Sequence, residues 1–194
     1  MKTISNLILY FLLLLSLHAC SPANIIATGS GSAMVIAEGE RSMGSVVDDA
    51  TIKVNIAAKF ISSEDNLFVN ISTTVLEGRV LLTGLVDKQE IRIDAVRRVW
   101  EVDGVQEVIN EIQVGNRESL KEYANDLWIN TQAKGLAAKA VGLRVVGYNF
   151  ETIQGKVYIA GITSKPEQLE DLIDAVKTVK GVKEIVNYVI IVEK

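Results

Sequence analysis

The chain has 194 residues, of which 48% are hydrophobic, with one cysteine, one histidine and a formal net charge of −4. An acidic chain lacks the basic stripe on which general nucleic-acid binding depends, so we expect no nucleic-acid partner. A single cysteine allows no internal disulfide, and burial of apolar side chains must therefore stabilise the fold.

The N-terminal residues predict a secretory signal. Lys2 is the only charged residue before a nearly continuous apolar run, Leu7 to Leu17, that is short for a membrane-spanning helix. The sequence Leu17-His18-Ala19-Cys20 ends this run and resembles the bacterial lipobox, in which the cysteine is acylated and becomes the first mature residue. We expect residues 1–19 to be a lipoprotein signal peptide and Cys20 to be the lipidation site. The alternatives are an ordinary signal peptide with an unrelated thiol, or an N-terminal anchor that is not cleaved.

The chain that would remain after cleavage offers little side-chain chemistry. It has no histidine, and its 19 Lys and Arg residues stand against 24 Asp and Glu. Catalytic Ser–His or Cys–His pairs and metal sites built from His and Cys are excluded. Asp48-Asp49 precedes an apolar periodic run, where Asp is a common helix N-cap, so capping is a better interpretation than acid–base catalysis. We expect no enzyme activity, no catalytic residues, no metal and no cofactor.

Residues 20–45 predict a flexible tether, because glycines recur there among Ser and Ala. Gly29-Ser30-Gly31-Ser32 resembles a phosphate-binding loop only superficially, since it follows no predicted strand and opens no predicted helix.

The rest of the chain contains one unit twice. Residues 49–114 align without a gap with residues 126–191, at an offset of 77. This predicts two domains, residues 46–115 and 125–194, joined by a linker over residues 116–124. Ser119-Leu120-Lys121-Glu122 fits a capping box, which would start the next helix at Leu120 and shorten that linker. Each domain is near the lower size limit for an independent core, which favours packing of one against the other.

Each copy predicts the order helix, strand, strand, helix, strand. Copy one has a helix over about residues 48–61, a strand in which Val69 and Ile71 alternate with polar residues, a turn at Glu77-Gly78, and a returning strand over residues 79–86. The same alternation in copy two begins at Val146.

The end of copy two predicts a parallel crossover. A helix begins near Pro166, Gly181 ends it, and a strand follows over residues 182–192. A strand–helix–strand passage of this kind is right-handed. The fold class is therefore α+β: two tandem αββαβ domains, each a small mixed three-stranded sheet covered by two helices.

These motifs carry a specific resemblance. Gly-Lys-Val-x-Ile-x-Gly at Gly155–Gly161 and Val-x-x-Val-x-Gly-Val at Val176–Val182 resemble the BON domain, as do Arg79–Gly84 and Val102–Val105 in copy one. Two such domains behind a lipobox resemble the dual BON-domain outer-membrane lipoproteins of the Gram-negative envelope. Ser21 agrees with that location, because an Asp after the cysteine usually directs retention in the inner membrane.

The resemblance implies a protein anchored by acylated Cys20 on the periplasmic face of the outer membrane. Lipoproteins of this kind bind anionic phospholipid through the first helix of their second domain and support envelope integrity. Related soluble periplasmic proteins, induced by osmotic stress, lack the lipid anchor.

Trp128 marks a difference between the copies, since its counterpart in copy one is Thr51. Tryptophan suits a bilayer interface because its body is apolar and its N–H is polar. On a helix starting near Asn125, Ile129 and Ala133 mark the inward side. The predicted lipid-binding residues on the flanking side are Trp128, Gln132, Gly135, Leu136 and Lys139.

Packing is the competing interpretation of both tryptophans. Trp128 would then lie between the domains or on its own core, and Trp100, which follows Val96 and Val99 on the second helix of copy one, is expected to pack structurally.

The leading hypothesis is thus a non-enzymatic protein that binds an anionic phospholipid membrane and supports outer-membrane integrity. The alternatives are a scaffold for envelope assembly proteins, with Trp128 in a protein interface, and an osmotic-stress-related periplasmic binding protein.

We expect Cys20→Ala to abolish membrane anchoring in cells while both domains stay folded, because the acyl chains would be the stable attachment to the bilayer. Fractionation of the envelope measures this. A Cys20→Ala chain that remains as tightly bound as the parent would contradict a lipid anchor.

Overall fold

The protein is described by a computed structural model that covers residues 42–116 and 120–192. Repeat one consists of helix α1 (Met43–Ile61), short helix α2 (Leu67–Asn70), strands β1 (Ile71–Leu76) and β2 (Arg79–Val86), helix α3 (Gln89–Trp100) and strand β3 (Glu107–Val114). Repeat two consists of helix α4 (Leu120–Val141), a 3-10 helix (Gly142–Gly147), strands β4 (Tyr148–Ile153) and β5 (Lys156–Thr163), helix α5 (Pro166–Lys177) and strand β6 (Glu184–Ile191).

Each repeat forms a mixed three-stranded sheet with its strands in chain order. The first two strands of each repeat pair antiparallel through a hairpin, and the third pairs parallel with the second after the helical crossover. The predicted α+β fold class, two αββαβ units, is confirmed.

The hairpin of repeat one turns at the predicted residues. Leu76 pairs with Arg79, so Glu77 and Gly78 form a two-residue turn, and both have positive φ, 55° and 73°. Two successive positive φ values are those of a type I′ turn, whose twist matches the twist of the two strands. Glycine adopts positive φ readily. Gln154 and Gly155 repeat the arrangement with φ of 53° and 83°.

Asp49 does not cap a helix, and the N-cap interpretation of this residue is wrong. α1 begins at Met43 and is capped by Ser42, whose hydroxyl accepts a hydrogen bond from the Ser45 amide. Asp49 lies inside α1, is buried, and accepts hydrogen bonds from the amides of Glu77 and Gly78, each at 2.9 Å. The carboxylate thereby ties the helix to the hairpin turn.

Repeat two makes the same connection. Asp126, in α4, accepts from the Gln154 amide at 2.7 Å and from the Gly155 amide at 2.9 Å. A carboxylate is therefore part of the shared fold at this position, because it satisfies two turn amides that would otherwise lose their partners on burial.

Several element boundaries differ from the sequence prediction. The first strand of repeat one starts at Ile71, because Val69 lies in α2 and is exposed. Val146 likewise lies in the 3-10 helix of repeat two and is exposed. α4 begins at Leu120, so residues 120–124 of the expected linker are helical, whereas Ser119 of the capping box falls outside the described residues.

One glycine of the repeated motif is required by a close approach of backbone. A Cβ atom at Gly84, where φ is 151°, would lie 2.2 Å from the carbonyl oxygen of Asn70. Its counterpart Gly161 is crowded in the same way, with the Gly147 carbonyl oxygen 2.8 Å from the position of a Cβ. A side chain fits at neither position unless the backbone moves.

Each sheet covers a core formed with the helices of its own repeat. Val80 and Leu82 of β2 pack into the core of repeat one, and Val157 and Ile159 of β5 pack into that of repeat two. The alternate residues of the same strands point to the opposite face of each sheet.

Those opposite faces pack against each other. Leu81 of β2 shares an apolar cluster with Ala160 and Ile162 of β5, and Leu85 shares a second cluster with Tyr158. Burial on both faces explains why β2 and β5 are apolar almost throughout instead of alternating. The expected packing of one domain on the other is present, and the helices lie on the outer sides of the paired sheets.

Equivalent residues meet in this interface. Glu111 and Tyr188 occupy the same position in the two repeats, 77 residues apart, and the Tyr188 hydroxyl donates to Glu111 Oε1 at 2.5 Å. Gln113 donates to the Tyr158 hydroxyl at 3.2 Å, and the counterparts of that pair, Ile190 and Leu81, belong to one apolar cluster. The repeats are thus related by an approximate two-fold axis.

We expect Asp126→Ala to lower the free energy of unfolding by about 2–4 kcal/mol, because the buried Gly155 amide and the partly buried Gln154 amide lose a charged acceptor. Urea unfolding of the variant and parent measures this difference. The matched control is Asp48→Ala at an exposed position, which should change stability by less than about 0.5 kcal/mol. Equal effects of the two substitutions would contradict the structural role of Asp126.

Candidate functional site

Helix α4 carries the residues that the sequence analysis selected for lipid binding. Its inner face is completed by Ile129, Ala133 and Ala137, which are fully buried in the core of repeat two. Asp126 fixes the N-terminal half of the helix to the β4–β5 turn. These contacts hold the helix rigidly without using its outer face.

The five selected residues differ in how far they are exposed. Trp128 is 47% exposed, and Gln132, Gly135 and Lys139 are exposed as well. A Cβ atom at Gly135 would meet nothing within 4 Å, so this part of the helix surface is open. Leu136 is half-buried and packs against the core of repeat two, so it contributes to the fold as well as to the border of the exposed surface.

Three exposed apolar residues at the start of α4 were not predicted from the sequence. Leu120 is 89% exposed, and Tyr123 and Leu127 are exposed to at least half. Their spacing of three and four residues places them on one side of the helix, and Tyr123 also lines a cleft with Phe68 and Val69 of repeat one. That spacing was visible in the sequence, but the first two residues lay in the segment interpreted as a linker.

Lysines border this apolar surface. Lys121, Lys134 and Lys139 are exposed, and no carboxylate among the described residues pairs with any of them. We call the surface formed by Leu120, Tyr123, Leu127 and Trp128 with these lysines the α4 surface. An exposed apolar stripe with basic flanks is the pattern of a helix that lies in a membrane interface.

Repeat one exposes a different apolar surface. Val47, Val54 and Ile61 follow a seven-residue spacing on the outer side of α1, and Ile93 and Trp100 follow the same spacing on α3. We call these five residues the repeat-one surface. Trp100 is 52% exposed, so the expectation that it packs structurally is wrong. Ala95 and Val99 are the fully buried residues of α3 and mark the side of the helix that faces the core. Trp100 lies outside that side.

Ion pairs surround Trp100. Arg98 and Arg97 both bind Asp94, and the hydrogen bond from Arg98 is the main cause that lowers the pKa of the Asp94 carboxyl. Lys59 of α1 binds Glu101 at 3.0 Å and lowers the pKa of that carboxyl. These charges around Trp100 are paired, unlike Lys121, Lys134 and Lys139 of the α4 surface.

Several residues singled out in the sequence lie outside the described part of the chain. Cys20 and residues 1–19 lie outside the described residues, as does Gly29-Ser30-Gly31-Ser32. Within residues 42–116 and 120–192, no group of three or more His, Cys, Asp or Glu side chains is placed to hold a metal ion. In the same ranges no helix combines the length and apolarity needed to cross a bilayer.

Comparison with known proteins agrees with the repeated fold. The model of the BON domain family matches twice, at residues 48–116 and 125–193. A relative from Anaplasma centrale, an uncharacterized protein in the gshII 5' region, is 40% identical over 144 residues, which are 74% of this chain and 94% of that protein.

Two further relatives carry descriptive names. Outer membrane lipoprotein DolP of Haemophilus influenzae is 26% identical over 88% of this chain and 87% of its own length. Osmotically-inducible protein Y of Escherichia coli is 27% identical over 84% of this chain and 83% of its own length.

Proposed function

The chain belongs to the BON domain family and carries the domain twice, and from this premise we propose that it is a non-enzymatic lipoprotein that binds anionic phospholipid. The protein is held at the periplasmic face of the outer membrane by acylated Cys20, and its membrane contact supports the integrity of that membrane. The observation that carries the proposal is the exposed, lysine-flanked apolar side of α4.

The location is supported by a relative and by the N-terminal sequence. A protein named an outer membrane lipoprotein aligns over 88% of this chain, and Leu17, Ala19 and Cys20 resemble the lipobox, in which His18 is an unusual residue. An attached lipid raises the effective concentration of the α4 surface at the bilayer, so a weak site is sufficient for function.

The composition of the α4 surface favours anionic lipid. Leu120, Leu127 and Trp128 provide apolar and interfacial contact, and each lysine near an anionic surface contributes about 1 kcal/mol of attraction. The protein as a whole carries a net charge of −4 and is repelled by such a surface. Attraction must therefore come from local positive charge, which the three exposed lysines distributed along α4 supply.

A second function is favoured by the repeat-one surface. This surface lies on α1 and α3 and shares no residue with the α4 surface. Exposed apolar side chains between ion pairs are typical of protein contacts. The protein would then also act as a scaffold that holds an envelope assembly protein.

Vesicle binding separates the two functions. Residues 42–194 contain both repeats and lack the anchor, and the repeats are kept together because separating them would expose Leu81 and Tyr158. Binding to phosphatidylglycerol vesicles that weakens with salt supports the lipid function. Capture of one dominant protein partner without vesicle binding would support the scaffold instead.

We expect Trp128→Glu in this two-repeat chain to weaken binding to anionic vesicles tenfold or more, a loss of about 1.4 kcal/mol. The change removes an interfacial aromatic side chain and adds a charge that anionic lipid repels. Thermal stability should change by only a few degrees, because Ile129, Ala133 and Ala137 complete the inner face of α4.

Two controls test whether the position matters. Thr51→Glu places the same charge at the equivalent position of repeat one, and Trp100→Glu removes the other exposed tryptophan. Neither substitution should alter vesicle binding. A folded Trp128→Glu protein that binds as tightly as the parent would overturn the proposed lipid site.

A further inference from the structure

A cavity between the two repeats contains a buried hydroxyl group without a partner. Thr83 of β2 is 3% exposed, and its hydroxyl forms no hydrogen bond with any described residue. Its side chain lies on the interface face of β2, between Leu81 and Leu85, and lines a cavity of about 210 Å³. A buried hydroxyl without a hydrogen bond is costly, so this group is available to a water molecule or a bound ligand in the cavity.

The other polar residues around this cavity come from both repeats. Lys53 of α1 and Lys134 of α4 both line it, together with Ser72 of β1 and Asn149 of β4. Ser72 and Asn149 occupy equivalent positions, so the cavity lies near the approximate two-fold axis. Neither repeat alone provides both lysines.

The electrostatic balance of the cavity is positive. Lys53 and Lys134 form no ion pair within the described part of the chain. Glu151 is the one carboxylate that also lines the cavity, and it already has an interaction partner. The two ammonium groups therefore exceed the negative charge, in a protein whose net charge is −4.

We propose that this cavity binds the phosphate group of a small phosphate ester. The ammonium groups of Lys53 and Lys134 donate to the phosphate oxygens, the Thr83 hydroxyl donates from the floor, and Ser72 and Asn149 complete the donor set. The volume is several times that of one water molecule, about 30 Å³. Lys53, Ser72 and Thr83 also line a neighbouring cavity of about 370 Å³, which leaves room for the rest of the ester.

The site belongs to the assembled pair of repeats and shares Lys134, but not Trp128, with the α4 surface. Trp128 does not line the cavity, and Thr83 has Ala160 as its counterpart, so the floor hydroxyl is present on one side of the two-fold axis only. Binding there would join α1, β1, β4 and α4 through one ligand.

Amide hydrogen exchange of the full chain in micelles of an uncharged glycoside detergent tests this proposal. Glycerol 3-phosphate is added in one arm, phosphatidylglycerol in a second, and neutral glycerol serves as the control. We expect saturable protection of the β1 and β4 segments, residues 71–76 and 148–153. Protection by glycerol 3-phosphate identifies a soluble ester as the source of the phosphate, and protection by phosphatidylglycerol alone identifies a lipid head group.

Two substitutions test the assigned residues. Lys53→Gln should weaken the affinity for the phosphate ester about tenfold, since it removes a charged donor. Thr83→Val keeps the shape of the side chain, so it should leave the melting temperature without ligand unchanged or higher and should reduce the protection. Lys88→Gln, at an exposed lysine outside the cavity, is the matched control and should have no effect.

The proposal is overturned if neither phosphate compound protects these segments, or if the protection is the same in Lys53→Gln, Thr83→Val and the parent. Trp128→Glu should leave this protection intact, because Trp128 does not line the cavity, and Lys53 and Thr83 lie outside the α4 surface, so their substitutions test the cavity alone.

Discussion

The two sheets bury their open faces against each other, and this contact determines which surfaces are left for binding. β2 and β5 lie in the middle of their sheets and are covered on one face by helices and on the other by the second repeat. The sheets therefore offer no broad open face, and the exposed sides of the helices form the outer surface. Since a repeat alone would expose Leu81 or Tyr158, the pair is the unit that folds and binds.

Polar contacts specify how the sheets meet. The pKa of Tyr188 is raised mainly by burial and next by the hydrogen bond to Glu111. The phenol therefore stays protonated and donates to Glu111. Burial also raises the pKa of Tyr158, which accepts from Gln113. Apolar contact alone would tolerate sliding of the sheets, whereas these directional bonds favour one alignment. Thr83 differs because its hydroxyl has no such partner within the described residues.

Duplication lets one fold present two kinds of surface. Both repeats retain the buried carboxylate that holds the hairpin, and both retain the crowded glycine at Gly84 and Gly161. Outside the core they diverge. Trp128 corresponds to Thr51, whereas the exposed Trp100 corresponds to Lys177. A requirement of the fold would appear in both repeats, so these differences point to separate roles for the α4 surface and the repeat-one surface.

The sequence by itself determined the repeat, the hairpin turns and the parallel crossover, because positive-φ glycines and strand periodicity are local properties of the chain. It also singled out Trp128 through the comparison with Thr51. Only the tertiary structure decided the role of Asp49, the half-burial of Leu136 and the exposure of Trp100. Helical periodicity shows which residues share a side, but which side is covered depends on elements distant in the sequence. For the same reason Lys53, Thr83 and Lys134 could be brought together only by the packing of one repeat on the other.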